Sequence, residues 1–334
     1  MQALFAWSSV ALGGGSVMFV SLLLFRRIRL YRIEVERDQA EERLEPLALA
    51  LVSGEETEAV DTRDAGVLAG LLSRYARQVT GDSRSALADY FEASGSVDRA
   101  MAALGDRHAW RRAAAADLLG AMGSEQAIGA LRDALGDGSR DVRTAAARSL
   151  GRLRASAAVE DLVRVFVTAD VAHGVAGEAL LGLGSAALPA LRALTHHGDP
   201  GLREAAVELL GLLGEPADSP LLVARLRDSA AEVRASAARA LGRLAAEDAA
   251  AAVRGALDDR IPFVRAAAAR ALGEIGGRDA APALLALARS DHYDAAQSAA
   301  RALARVDPEL LAAAGREEFG QHVLEAADRA AIRS

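Results

Sequence analysis

From residue 108 onward the apolar positions fall into short helical stripes that return at a fixed interval. In the stretch 260–289, Val264, Ala268, Ala271 and Leu272 share one face of a helix. Pro262 opens that helix, where its missing N–H leaves nothing unsatisfied, and Gly276-Gly277 end it. Asp279 is expected to cap a second helix whose apolar positions are Leu284, Leu285 and Leu287. Ser290-Asp291 then turn into the next copy. Each unit reads as two antiparallel helices of about 12 residues, roughly three turns apiece.

The repeat marker is Leu-Gly, with Gly120, Gly151, Gly182, Gly211, Gly242 and Gly273 at intervals of 31, 31, 29, 31 and 31. Eight residues before them stand Arg112, Arg143, Gly174, Arg203, Arg234 and Arg265. A seventh, degenerate copy carries Arg301-Ala302-Leu303-Ala304. The third copy departs from the rule. It is two residues shorter, has Gly174 where arginine is expected, and carries Pro189 in its second helix, so a local change of curvature is expected there. One hairpin cannot bury both of its faces, so the copies must stack. Alanine suits the first helices because it favours helix and lets neighbours pack closely. The fold class expected is all-α, a right-handed α-solenoid of helical hairpins behind an N-terminal transmembrane helix.

That helix is read from Ala3 to Phe25, 23 positions without a charge. At about 1.5 Å per residue it spans roughly 35 Å, enough for a bilayer core of about 30 Å. Arg26, Arg27, Arg29 and Arg32 follow it and no basic residue precedes it. The positive-inside rule then places the N-terminus outside and the rest in the cytoplasm, as a single-pass protein. A cleaved signal peptide would carry the opposite order of charge. The expected organisation is a transmembrane anchor over 1–25 and a juxtamembrane helix and linker over 26–64, with Pro46 interrupting the helix. An N-terminal helical cap over 65–107 follows, then six to seven repeats over 108–307 and a capping helix over 308–334.

Composition removes several functions. The chain has no Cys, which excludes disulfide frameworks, thiolate metal sites and cysteine nucleophiles. Its net charge of -7 and 4% aromatic content argue against a nucleic-acid binder. His108, His173, His196, His197, His292 and His322 show no metal-ligand spacing, so no metal site and no cofactor are expected. No GxSxG, Walker or dinucleotide fingerprint follows a strand, and no catalytic residue is assigned.

Two arginine sets remain. Arg112, Arg143, Arg203, Arg234 and Arg265 form a ladder. Its regularity beside acids such as Asp141 and Glu232 favours a structural role, each arginine bonding a carbonyl or acid of the neighbouring copy. Arg132, Arg192 and Arg254 occupy equivalent second-helix positions and form a line that could grip an acidic partner.

The segments 141–153 (DVRTAAARSLGRL), 232–244 (EVRASAARALGRL) and 263–276 (FVRAAAARALGEIG) resemble HEAT repeats of the short bacterial kind labelled PBS-lyase HEAT-like. The resemblance implies a solenoid whose second helices line a concave, partner-binding face. The segment 73–120 is similar to the start of bacterial membrane-anchored HEAT-repeat proteins. That likeness implies a non-catalytic scaffold binding a protein partner, with an inner-membrane glycosyltransferase complex of polysaccharide export as the specific candidate. Phycobilin lyases share the short repeat and supply the alternative, a ligand-handling enzyme. The His-Glu pairs of deoxyhypusine hydroxylase, another HEAT enzyme, do not occur here.

Overall fold

The structure, a computed structural model, describes residues 38–53, 65–76, 81–290 and 293–315, together with positions 27, 31 and 35. The anchor expected over 3–25 lies outside them, as do His292, His322 and most of the expected C-terminal cap. Among the described residues there is no strand, and no helix is long and apolar enough to cross a membrane. The chain divides into two compact units, Met1–Ala127 and Ile128–Ser334.

In the first unit the described part of α1, residues 38–52, continues through Pro46 without a break, against the expectation of an interruption. Three short helices follow: α2 (Ala65–Tyr75), α3 (Asp82–Ala93) and α4 (Ser96–Ala103). Gly95, in the left-handed region at φ 64°, makes the tight α3–α4 turn. Leu68, Leu72, Leu87 and Phe91 are fully buried among them. The first repeat helix, α5 (Ala109–Met122), belongs to this unit.

The second unit begins at α6 (Ile128–Ala134). Copy two is α7 (Arg140–Arg152) and α8 (Val159–Val167), and copy three is α9 (His173–Gly182) and α10 (Leu188–Leu194). Copy four is α11 (Pro200–Leu213) and α12 (Ser219–Arg225), and copy five is α13 (Ala231–Arg243) and α14 (Ala250–Gly255). Copy six is α15 (Pro262–Ile275) and α16 (Ala281–Ser290). Then α17 (Tyr293–Val306) opens copy seven and α18 (Pro308–Gly315) follows. First helices pack on first helices of the adjoining copies and on the second helix of the preceding copy.

The local causes are legible. Pro200 and Pro262 stand at the first turn of their helices, and Asp199 Oδ1 accepts from the N–H of Gly201 at 2.7 Å and of Leu202 at 3.2 Å. The second helices are shorter than expected because a 3-10 turn opens them. In copy six that turn is Arg278–Ala280, so Asp279 lies inside it and not at the residue that precedes α16. Pro189 falls at the start of α10, where it breaks no hydrogen bond.

The repeat glycine is where neighbouring backbones meet. A Cβ built on Gly211 would lie 2.7 Å from the Cα of Ala240, and one on Gly242 would lie 2.9 Å from the Cα of Ala271. Gly273 seats Ala302 of α17 in the same way, at 3.0 Å, so the degenerate seventh copy keeps the packing although it lacks the Leu-Gly. A side chain on the glycine would force these helices apart.

Candidate functional site

Each ladder arginine sits in the first turn of its helix, close to the loop it has just left. Its Nη1 donates back to the carbonyls six and five residues earlier. Arg143 bonds Asp137 O at 2.8 Å, Arg203 bonds His197 O at 2.9 Å, and Arg234 bonds Asp228 O at 3.0 Å. Arg112 and Arg265 do the same with Asp106 O and Asp259 O. The free edge of the guanidinium then reaches forward to the next copy. Arg203 grips Asp228 through Nε and Nη2 at 2.9 and 2.8 Å, and Arg234 grips Asp259 at 2.7 and 2.9 Å. Arg143 makes its forward bond to the main-chain oxygen of Asp170, at 3.0 Å.

The same aspartates hold their own loops. Asp228 accepts from the N–H of Ala230 and Asp259 from that of Ile261. The acids that fix Arg203 and Arg234 are therefore these loop aspartates, 25 residues further along. Hydrogen bonding from Arg203 holds the Asp228 carboxyl below its ordinary value, against an opposing push from burial. At Asp259 burial is the largest influence and pushes upward. Arg234, the Ile261 N–H and nearby charge together outweigh it, and the carboxyl still lies low. The Arg203 and Arg234 guanidinium groups are raised by the same bonds.

Copy three sits in a register the sequence marker misses. The loop residue 11 positions after the ladder residue takes a positive φ in most copies: Gly123, Arg154, Ala245 and Gly276. In copy three it is Gly184, which makes His173, and not Gly174, the counterpart of the arginine. Burial agrees. Ala176, Gly177, Ala179 and Leu180 are buried in α9 as Ala206, Val207, Leu209 and Leu210 are in α11, 30 residues on. So does packing, since Ala179 fills the seat against Gly151 that Ala240 fills against Gly211. The chain loses one residue before α9 and one after it, and Leu-Gly slips by one.

The second-helix arginines are tied to the following copy. Arg132 Nε donates to Asp161 Oδ2 at 2.7 Å, an exposed pair. Arg192 holds both oxygens of Asp218, whose side chain is only 3% exposed. This bond raises the Arg192 guanidinium above its ordinary value. Arg254 is exposed and meets only a carbonyl among the described residues, Asp279 O at 3.4 Å. It borders a cleft of about 470 Å³ with Glu247, Asp248 and Asp279.

Sequence reasoning missed one surface. In the first unit Trp110 is 66% exposed, with the Arg111 guanidinium 5.2 Å from its ring centre. It lines an apolar groove of about 430 Å³ with Ala69, Gly70, Ala100 and Leu118. Asp106 at the rim is held down to about 2 by the His108 N–H and by Arg111. The signal available was a lone tryptophan at an exposed helix position. Among the described residues no group of three metal-ligating side chains converges. His197 serves its own loop, its Nδ1 accepting from the N–H of Asp199 at 3.0 Å.

No curated protein matches the chain. Among solved structures it is similar to YibA of Escherichia coli, at 17% identity over 84% of this chain and 100% of that one, with a TM-score of 0.44. It is also similar to the CpcE–CpcF complex of phycocyanin lyase from a Nostoc species, at 22% identity over 85% and 94%, with a TM-score of 0.27. Human deoxyhypusine hydroxylase matches at 21% identity over 83% and 100%, with a TM-score of 0.33. The family model for HEAT repeats matches residues 97–184, 170–239 and 219–304, more than half of the sequence, and the chain belongs to the HEAT-repeat family.

Proposed function

We propose that this protein is a non-catalytic, membrane-anchored scaffold that holds a protein partner, with an inner-membrane glycosyltransferase complex as the specific candidate. The observation that supports it is the double use of Arg143, Arg203 and Arg234. From copy four to copy six, Arg203 and Arg234 lock loop to loop. What such an array offers is a long, pre-organised surface, the property that lowers the entropic cost of binding a protein. Tethering to a membrane raises the effective concentration of whatever it holds there. Among the three second-helix arginines Arg254 is the best placed to meet an acidic partner, being exposed and without an acidic mate among the described residues.

The test is crosslinking in whole cells, recovery through a C-terminal tag from detergent-solubilised membrane, and mass spectrometry. The expected result is one membrane protein at near-equal stoichiometry. Capture should be lost when Arg132, Arg192 and Arg254 are all changed to Glu, and weakened by Arg254→Glu alone. Recovery of a pigment or small molecule with no protein would overturn the scaffold reading in favour of a ligand-handling enzyme. Digestion of the tag in intact spheroplasts would overturn the cytoplasmic orientation.

A further inference from the structure

Two devices join neighbouring copies in the second unit: the Gly/Ala seat between first helices and the forward bond of the ladder arginine. Both are replaced at a single junction, between copies three and four. In the corrected register the seat positions there are Leu181 and Leu209, where other junctions have Gly151 with Ala179, Gly211 with Ala240, Gly242 with Ala271 and Gly273 with Ala302. Two leucines cannot be approached as a glycine and an alanine can. Leu209 instead rests beside Gly177, 3.5 Å from where a Cβ on that glycine would lie, and α9 packs on α11 less extensively than on α7. The clamp positions there are His173 and His197, where the following junctions have Arg203 with Asp228 and Arg234 with Asp259. His197 keeps the loop-holding bond that the aspartate makes elsewhere, to the N–H two residues on. His173 lies edge-on to Phe166 of its own side, 5.2 Å between ring centres, and makes no hydrogen bond to copy four among the described residues.

We propose that the junction between copies three and four is a built-in hinge, about which copies two and three move against copies four to seven. The physical basis is the loss of both restraints at one place. At the next two junctions a backbone-to-backbone seat fixes the spacing and a bidentate ion pair fixes the twist, and between copies two and three Arg143 reaches the Asp170 carbonyl instead. At this junction the second helices stay tied, Arg192 to Asp218 and Arg225 to the carbonyl of Thr195, while the first helices keep only side-chain packing, which tolerates small rotations about that tie because leucine rotamers can adjust where backbone contacts cannot. The joint lies within the stack, so the motion would change the spacing of any surface presented across it without unfolding either side.

The experiment is a pair of distance distributions by spin labelling. The chain has no cysteine, so double-cysteine variants of the full chain in detergent can be labelled cleanly. Arg148→Cys with Glu208→Cys spans the joint, and Glu208→Cys with Arg270→Cys spans two regular junctions at equivalent positions. The spanning pair should give a distribution about twice as broad as the control. Rebuilding the clamp with His173→Arg and His197→Asp should narrow it. The reciprocal change, Arg234→His with Asp259→His, should broaden the control pair. Equal widths in the unaltered background would overturn the hinge. A reciprocal variant that leaves the control pair narrow would overturn the assignment of the clamp as its restraint.

Discussion

Replacing Arg234 by Ala tests whether the ladder carries the stability assigned to it. The Arg234 side chain is 8% exposed and that of Asp259 is 12% exposed. Four hydrogen bonds leave this one guanidinium, two to Asp259 at 2.7 and 2.9 Å and two to the Asp228 and Ser229 carbonyls at 3.0 and 3.2 Å. The alanine variant leaves the Asp259 carboxylate enclosed, with the Ile261 N–H as its remaining described donor. Breaking a largely buried pair from one side costs about 3–5 kcal/mol. Residual solvent at these exposures places the expected loss near the lower bound, at about 3 kcal/mol. Arg132→Ala is the control, because its pair with Asp161 is 44% and 24% exposed and should be worth under about 1 kcal/mol. In a double-mutant cycle with Asp259→Ala the coupling should be about 2 kcal/mol. The assay is urea unfolding of the full chain in detergent, read together with hydrogen exchange of α13 and α15, because stacked repeats open in parts. Equal losses for Arg234→Ala and Arg132→Ala, or a coupling below about 0.5 kcal/mol, would refute the reasoning.

Gly242→Ala should cost about 1–3 kcal/mol, since its Cβ would press on the Ala271 backbone. Gly255→Ala has open space and should gain up to about 1 kcal/mol, and thermal melting separates the two. The folded carboxyls of Asp228 and Asp259 lie below their ordinary value of 3.8, so their contribution is present above that value and is lost as pH falls through the folded one. Urea midpoints taken from pH 7 down to pH 3 should therefore drop, and should drop less in Arg203→Ala with Arg234→Ala. Arg192→Ala should cost about 2 kcal/mol, because it strands the buried Asp218 carboxylate, and should exceed Arg132→Ala in the same unfolding assay.

Much of this architecture follows from local pattern alone. The 31-residue period, the first helices opening at Pro200 and Pro262 and the Gly276-Gly277 stop are short-range facts, set by helix sterics, missing donors and left-handed turns. The regular placement of the ladder arginines was also legible, because a charge repeated at one place in five copies meets similar surroundings in each. The identity of their partners was not. Asp228 and Asp259 lie 25 residues from the arginines they hold, a separation that only stacking closes. The pattern pointed to a carbonyl or acid of the neighbouring copy without naming it.

The same limit explains the other corrections. Arg132 and Arg192 read as part of a line that could grip an acidic partner, and the next copy brings Asp161 and Asp218 to them. Gly174 read as the missing arginine because Leu-Gly is a sequence marker, and a sequence marker can slide by one residue at little cost. The buried stripe cannot slide, since moving it one residue turns it 100° away from its neighbours. The sequence by itself determined the elements, their period and where the pattern breaks. The tertiary structure decided the register of copy three and the mate of each charge, because both depend on which surfaces touch across the stack.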